Sequence, residues 1–291
     1  MLVVTRPPWS RTTLKWHKLD EIGPNQWVLN LLPPYYAAVF EQQEPKLMDK
    51  ARCPWQESKS GNSSWVTFDN LADSDLNRIE EFIADYEHFV LLGLNRNIEN
   101  HFFDEIDGAM ALDFNFQDGQ YGAYTEIGEL VYHAKYRRRV AAAEELARRL
   151  CDAIGRLPTL GFDGPCCLTY VPAGRHKRYD LPRILTHCMM KYGNPTIRLR
   201  DWEPLIEPEI TMTKPDFKRL TIDEKIRVWE RILCRGTKLS SSVAGYGVYV
   251  IDDLYQSGAT LWSYARFLKA AGATAVFALT CEKSMGDRDN R

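Results

Sequence analysis

Two adjacent carboxylates, Asp252 and Asp253, stand between an apolar segment and a turn of small and hydroxyl-bearing residues. The apolar segment, residues 247–251, predicts a buried strand. A helix is expected after the turn, because apolar residues recur at i, i+3, i+4 and i+7 from Leu261. Free backbone N–H groups at such a helix start bind phosphate, and carboxylates beside them hold a sugar diol or a Mg²⁺ shell. The segment therefore predicts one half of a site for a phosphorylated sugar.

A second segment places cations after another predicted strand, residues 165–171. The cations lie in a small-residue turn that contains Ala173, Gly174, Arg175, His176 and Lys177. Small residues let the backbone approach a ligand, and cations offset its negative charge, so we expect this turn to bind pyrophosphate. Residues 170–240 hold 15 Lys and Arg against 9 Asp and Glu, a net charge of +6 in a chain of net charge −2. A solvated surface or a nucleic-acid patch would show the same excess.

Strands and helices alternate from residue 120 onward. The apolar periodicity predicts helices over residues 126–136, 140–154 and 181–190. Short apolar runs predict strands over residues 165–171, 247–251 and 273–280. This alternation predicts an α/β fold with a parallel sheet flanked by helices. Ligands of such sheets bind at the carboxyl ends of the strands, where both candidate turns lie. We expect residues 1–119 to form a separate N-terminal α+β domain. Residues 120–291 are expected to form the domain that carries the site.

The segment VYVIDDLYQSGAT resembles the phosphoribosyl-pyrophosphate (PRPP) motif of type I phosphoribosyltransferases. Residues 124–150, YTEIGELVYHAKYRRRVAAAEELARRL, are similar to the segment that opens the transferase domain of ComF-type phosphoribosyltransferases. In that family a Val-Pro and Arg-rich segment like residues 171–178 forms the pyrophosphate loop. The resemblance covers roughly residues 120–285 and implies a type I phosphoribosyltransferase fold. ComF proteins usually begin with a cysteine-rich zinc finger, and residues 1–119 lack that ligand pattern.

The resemblance implies transfer of a phosphoribosyl group from Mg²⁺–PRPP to a nitrogen nucleophile, with release of pyrophosphate. Asp252 and Asp253 would be the catalytic and metal-binding residues, holding the ribose hydroxyls directly or through Mg²⁺. The implied 5′-phosphate residues are Gln256, Ser257, Gly258, Ala259 and Thr260. Pyrophosphate would be bound by the turn Ala173, Gly174, Arg175, His176 and Lys177. A flexible segment would close over PRPP and add the cations Lys214, Lys218 and Arg219, for which a solvated role fits equally well.

Two other classes of function stay open. A phosphoribosyltransferase fold can bind PRPP or a nucleotide and regulate without transfer, and Tyr255 in the turn leaves room for this. Alternatively, the chain is a nucleic-acid-associated subunit whose N-terminal half docks on a protein, RNA or DNA partner. Proteins with a divergent N-terminal half before a ComF-like half occur among bacterial phage-defence effectors, including those of retrons. A homo-oligomer is compatible with each of these functions.

Composition indicates in which cellular compartment the protein functions. The chain has 291 residues, of which 45% are apolar and 26% charged, as is typical of a globular protein. No run of 18 apolar residues exists and the start of the chain lacks a signal-peptide core, so we expect no membrane partner. Seven cysteines without regular spacing indicate reduced thiols. These features together predict a cytoplasmic protein.

Overall fold

The structure is a computed structural model that describes residues 14, 16–32, 34, 36–92, 105–117, 122–157, 159, 162–171, 179–192, 197–200, 219–236 and 238–284. The chain divides into two compact units, residues 1–93 and 94–291. The division lies earlier than the predicted boundary between residues 119 and 120. Within the described part of the chain, no helix is both long and apolar enough to cross a membrane.

The first unit is an α+β structure built on an antiparallel sheet. Its elements are β1 (Trp16–Gly23), β2 (Gln26–Leu32), α1 (Tyr36–Gln43), α2 (Pro45–Met48), β3 (Gln56–Glu57), β4 (Ser64–Asp69), α3 (Asp73–His88) and β5 (Val90–Leu91). The sheet has the order β1-β2-β4-β3. Aromatic rings fill its core, with the Phe40 and Phe82 centroids 4.9 Å apart and those of Phe82 and Tyr86 4.6 Å apart. Tyr36, from the aromatic-rich start of the chain, is fully buried in this core.

The second unit confirms the predicted parallel sheet flanked by helices. Its elements are β6 (Gly108–Phe114), α4 (Glu126–Arg137), α5 (Val140–Ile154), β7 (Cys166–Tyr170), α6 (Leu181–Tyr192), β8 (Arg198–Leu199), α7 (Ile222–Gly236), β9 (Gly247–Tyr255), α8 (Ala259–Ala270) and β10 (Ala275–Lys283). Within this unit the strands lie in the order β6-β10-β9-β7-β8, and each neighbouring pair is parallel. All nine residues of β10 are buried, as expected for a central strand covered on both faces.

The pairing of β6 explains why the boundary lies earlier than predicted. β6 is separated from the later strands of the sheet by a long stretch of sequence, and it lies before residue 120, where the predicted alternation of strands and helices begins. In the structure it pairs in parallel with β10, where Ala109 opposes Ala278 and Ala111 opposes Thr280. The strand therefore belongs to the sheet that carries the candidate site.

The order of the connections sets a switch point in this sheet. β7 leads through α6 to β8 on one side, whereas β9 leads through α8 to β10 on the other. Parallel crossovers are right-handed, so α6 and α8 cover opposite faces of the sheet. β7 and β9 are neighbours, and the strand order reverses between them. Open α/β sheets bind ligands at such a point, outside the carboxyl ends of the strands.

Candidate functional site

The acidic pair, Asp252 and Asp253, lies at the carboxyl end of β9, next to the switch point. The sequence predicted a strand that ends at Ile251, but β9 continues to Tyr255 and includes both carboxylates. The extension follows from pairing, because Asp252 opposes Thr280 and Tyr255 opposes Lys283 of β10. Successive strand residues point to opposite faces, so the two carboxylates do not form one side-by-side pair. The Asp252 carboxylate instead accepts the Asp253 backbone N–H at 2.8 Å.

Helix α4 crosses the carboxyl edge of the sheet and reaches this pair. Its N-terminal end is fixed at β6, because the Thr125 hydroxyl donates to the Phe114 carbonyl at 2.6 Å and accepts the Gly128 N–H at 3.0 Å. Ten residues later, the Lys135 ammonium lies 2.6 Å from the Asp253 carboxylate. Ten helical residues span about 15 Å, enough to pass the two strand spacings of about 5 Å each that separate β6 from β9. The helix therefore forms one wall of the site.

Lys135 is the residue of the site that the sequence reasoning missed. Its side chain is 23% exposed and that of Asp253 13%, so solvent screens the ion pair only partly. Burial opposes the charge of the Lys135 ammonium, but the charge of Asp253 and its hydrogen bond outweigh burial and raise the pKa of Lys135. Apolar periodicity predicted the helix over residues 126–136 that carries this lysine, but it gives no role to a single lysine near the end of a helix.

The turn after β9 has the geometry of a phosphate cradle. Gly258 has φ +84°, a left-handed conformation that favours glycine, and its carbonyl accepts the first helical bond, from the Trp262 N–H at 2.9 Å. α8 begins at Ala259, and the N–H groups of a first helical turn have no acceptor within the helix. The Ser257 hydroxyl lies 3.4 Å from the Ala259 nitrogen. Gln256, Ser257 and Thr260 are half-buried at the end of the strand, as expected of residues that line a site.

Tyr255 does not obstruct this turn. Its side chain is 2% exposed, and its hydroxyl accepts a hydrogen bond from the Trp262 indole N–H at 3.3 Å. The Lys283 ammonium lies 5.8 Å from the centroid of the ring. Tyr255 thus packs beneath the turn and supports Gly258.

The described residues on either side of the predicted pyrophosphate turn also lie at the site. Before it, the Val171 N–H donates to the Ile251 carbonyl at 3.0 Å, one residue from the acidic pair. After it, the Arg138 guanidinium at the end of α4 lies 5.7 Å from the Tyr179 ring centroid. Both ends of the segment are therefore fixed beside β9 and α4.

Part of the predicted site lies outside the described residues. The predicted residues there are Ala173, Gly174, Arg175, His176, Lys177, Lys214 and Lys218. Arg219 is described and exposed, just before α7. Its contact with pyrophosphate stays a prediction. The structure thus brings together Asp252, Asp253 and the residues 256–260, and adds Lys135.

A third carboxyl group, that of Glu282, lies at the carboxyl end of β10. It is 8% exposed and opposes Leu254 of β9. Burial raises the pKa of Glu282 to about 8; Lys135 lowers it, and the charge of Asp253 raises it further. In the folded chain this group therefore keeps its proton to a much higher pH than an exposed glutamate.

Replacing Glu282 is expected to change how stability depends on pH. Between its usual pKa of 4.5 and about 8, the folded chain holds this proton and the unfolded chain does not. The contribution of Glu282 to stability therefore falls as the pH rises through that window and stays low above it. Glu282→Gln should raise the melting temperature at about pH 8 and leave it nearly unchanged at about pH 4.5.

Asp152→Asn, which neutralises an exposed carboxylate on α5, is the control and should leave the pH profile unaltered. Thermal unfolding followed by circular dichroism across this range tests the expectation. Equal effects of Glu282→Gln at both ends of the window would show that Glu282 titrates like an exposed group.

No protein-family model and no curated protein matches this chain. Among solved structures, a hypoxanthine phosphoribosyltransferase from Staphylococcus aureus is 12% identical, with a TM-score of 0.31 over 52% of this chain and 67% of the other. A Trypanosoma cruzi hypoxanthine phosphoribosyltransferase is 14% identical, with a TM-score of 0.30 over 56% and 68%. A hypoxanthine-guanine phosphoribosyltransferase from Bacillus anthracis is 12% identical, with a TM-score of 0.28 over 48% and 66%. Similarities this distant do not decide what the chain does.

Proposed function

We propose that the second unit binds PRPP and transfers its phosphoribosyl group to a nitrogen nucleophile. One observation carries the proposal: a carboxylate pair and a glycine-containing helix start lie together at the switch point of a parallel sheet. A phosphate and a sugar diol are the groups that such a combination binds. PRPP carries both, together with a pyrophosphate leaving group.

The 5′-phosphate would lie on residues 256–260. The first N–H groups of α8 point along the helix axis toward this turn, and the helix dipole adds positive potential there. The left-handed Gly258 lets the turn pack directly on the buried Tyr255, which fixes the position of these N–H groups. These groups orient the ribose ring above the ends of β7 and β9.

The ribose hydroxyls would be held by Asp252 and Asp253, whose carboxylates would reach the ligand from opposite faces at the carboxyl end of β9. Carboxylate oxygens also suit Mg²⁺, which proteins usually hold through one or two carboxylates together with substrate phosphates and water. Among the described residues there is no cluster of three or more His, Cys, Asp or Glu that could hold a metal by itself. The donor set therefore fits a Mg²⁺ that arrives with PRPP and is held by one of these carboxylates, since the two point to opposite faces of β9. When bound, the ion would neutralise charge on the pyrophosphate.

The reaction would be a displacement at the ribose C1′. The bond from C1′ to the pyrophosphate oxygen breaks, the acceptor nitrogen forms its bond to C1′ and releases its proton to water, and pyrophosphate leaves with the bonding electron pair. The predicted turn of residues 173–177, with Lys214, Lys218 and Arg219, would stabilise the leaving group by charge. Positioning and charge neutralisation would supply most of the rate enhancement.

A screen for pyrophosphate release tests this proposal. The full chain is incubated with PRPP and Mg²⁺, and nucleobases, nucleosides and simple amines are offered one at a time. Pyrophosphate formed only in the presence of an acceptor supports transfer. Binding of PRPP without pyrophosphate from any acceptor would contradict transfer and favour the second candidate, a regulator that binds PRPP.

The ion pair of Lys135 with Asp253 favours that second candidate. An ammonium 2.6 Å from the carboxylate already supplies the positive charge that Mg²⁺ would bring. Ligand binding therefore has to displace or rearrange Lys135. A rearrangement of this ion pair on binding is a change that a sensor of PRPP needs, whereas transfer does not require it.

Lys135→Gln is expected to make the stability of the chain depend on Mg²⁺. The substitution leaves the partly buried Asp253 carboxylate without its counter-ion, which costs on the order of 2 kcal/mol of unfolding free energy. Mg²⁺ can then take the vacated place, so it should raise the melting temperature of this variant more than that of the wild type. Thermal unfolding with and without Mg²⁺ measures the difference.

The matched control is Lys269→Gln. Lys269 forms an ion pair of similar length with Asp107, at 2.7 Å; the two lysines are similarly exposed, at 26% and 23%, but Asp107 is more exposed than Asp253, at 36% against 13%. Its loss should lower stability without any recovery in Mg²⁺. Equal Mg²⁺ responses of the two variants would show that the ion does not replace Lys135.

A further inference from the structure

A continuous row of aromatic rings, two of them on helix α4 and two before it in the sequence, runs along the outer side of that helix. The row, here called the aromatic strip, consists of Phe116, Tyr124, Tyr132 and Tyr136. Successive ring centroids lie 5.0 Å, 5.5 Å and 5.5 Å apart, with interplanar angles of 33°, 32° and 42°. The rings therefore follow one another along the surface and do not close around a core.

Part of the strip is open to solvent. Tyr136 is 65% exposed and Tyr124 39% exposed, and both are among the most exposed large hydrophobic residues described. The buried residues of α4 are Ile127, Gly128, Val131 and Ala134, which form a separate face of the helix. Tyr132 and Tyr136 are therefore not part of the face of α4 that packs in the hydrophobic core. Core packing does not explain why aromatic residues occupy these two positions.

Three consecutive arginines follow Tyr136, the last residue of the aromatic strip. Arg137, Arg138 and Arg139 are all exposed, and the Arg137 guanidinium lies 5.7 Å from the Tyr132 centroid. Arg138 has φ +53°, which ends the helix and turns the following residue away from the helix axis. Positive charge and open aromatic rings therefore meet at the C-terminal end of α4.

The carboxylates of α4 itself lie toward the other end of the helix beside basic side chains, and Asp253, which lies near the arginine end, is paired with Lys135. Glu126 forms an ion pair with Arg149, and Glu129 lies 3.5 Å from His133. The arginine end of the strip is thus left with an excess of positive charge.

We infer that the aromatic strip and the three arginines form a binding surface for single-stranded nucleic acid. Every base offers a flat face that stacks on tyrosine, and arginine binds the phosphates between the bases. An exposed row of rings with cations at one end combines the two kinds of interaction that such ligands require. Duplex bases are already stacked on one another, so a duplex would bind through its phosphates but could not stack on the rings. The inference does not rest on the proposed transfer reaction, and it assigns nucleic-acid binding to the second unit, not to the N-terminal half.

Fluorescence anisotropy of the full chain with a labelled single-stranded oligonucleotide tests the inference, with an RNA arm, a DNA arm and a duplex arm of the same sequence. The wild type should bind a single strand more tightly than the duplex. Tyr136→Ala should weaken single-strand binding about fivefold or more, the effect expected for one stacked base. Tyr136→Phe keeps the aromatic face and should bind like the wild type. Because Tyr136 is mostly exposed, both variants should fold normally.

The arginines are tested through salt dependence. Replacing Arg137 and Arg139 by Gln should weaken binding and flatten its dependence on salt between about 50 and about 200 mM, by a slope of about 0.7 for each phosphate that is no longer neutralised. The control replaces Tyr192 by Ala and Arg148 by Gln, an exposed aromatic–arginine pair on α6 and α5 with the guanidinium 5.1 Å from the ring centroid. The control should bind like the wild type.

Three results would overturn the inference. They are no binding of any single strand by the wild type at the lower salt concentration, unchanged single-strand binding by Tyr136→Ala, and duplex binding as tight as single-strand binding. The thermal shift with PRPP, measured on Tyr136→Ala, should equal that of the wild type. A failure of nucleic-acid binding is thereby kept distinct from a failure of the PRPP site.

Discussion

Asp252→Asn combined with Asp253→Asn is expected to abolish the rise in melting temperature that PRPP and Mg²⁺ produce in the wild type. At a ligand concentration of about 100 times Kd, binding adds about 2.7 kcal/mol to the stability of the folded chain. For a unit of this size that corresponds to a shift of roughly 5–10 °C. The amide side chains keep the shape of the site but carry no charge for Mg²⁺ and accept fewer hydrogen bonds from the ribose hydroxyls. The shift should therefore vanish.

The matched control is Asp113→Asn, at the carboxyl end of β6. Its carboxylate accepts the N–H of the next residue, Phe114, at 2.6 Å, just as Asp252 accepts the N–H of Asp253. The same chemical change is thus made at the same edge of the sheet, two strands away from β9. Asp113→Asn should retain the full shift. A full shift in the double variant would place PRPP elsewhere on the chain.

Gly258→Ala is expected to destabilise the second unit more than a Gly→Ala substitution at any other glycine in the turns described here. A side chain at φ +84° costs about 1–2 kcal/mol of unfolding free energy. The added Cβ would also lie 2.4 Å from the Tyr255 hydroxyl oxygen and 3.1 Å from Cδ1 of Trp262. The Tyr255 ring is buried and rigid, so relieving this overlap should cost a further ~1–3 kcal/mol.

Gly245→Ala separates the two contributions. Gly245 has nearly the same backbone conformation, with φ +80°, but an added Cβ would meet no atom within 4 Å. It should therefore show the backbone cost alone. Urea denaturation measures both variants, and the thermal shift with PRPP should disappear in Gly258→Ala only. Equal decreases of stability in the two variants would mean that the close packing of Tyr255 beneath the turn is absent.

Local patterns predicted most of the second unit. Helices α4 and α5 lie within a residue of the expected bounds, because their apolar faces and the Thr125 cap are encoded in neighbouring residues. A capping box of neighbouring residues likewise starts α7, since the Glu224 carboxylate accepts the Thr221 N–H at 2.8 Å. The parallel sheet followed from the alternation of strands and helices.

What the sequence reasoning missed depends on contacts between distant segments. The extension of β9 through the acidic pair arises from its pairing with β10, which no local pattern shows. The ion pair of Lys135 joins residues 118 positions apart, from 135 to 253, and becomes visible only when α4 crosses the edge of the sheet. The same holds for β6, whose partner strand lies at the far end of the chain. Non-local geometry of this kind also made the two carboxylates point to opposite faces.

Calorimetric titration of PRPP into the wild-type chain in the presence of Mg²⁺ tests the PRPP site most directly. Saturable binding of one PRPP per chain is expected, and ribose 5-phosphate and pyrophosphate should each compete, since each occupies one half of the site. Binding should weaken strongly when Mg²⁺ is removed. The absence of any saturable heat at millimolar PRPP, from a chain that unfolds cooperatively, would contradict a PRPP site at the ends of β7 and β9.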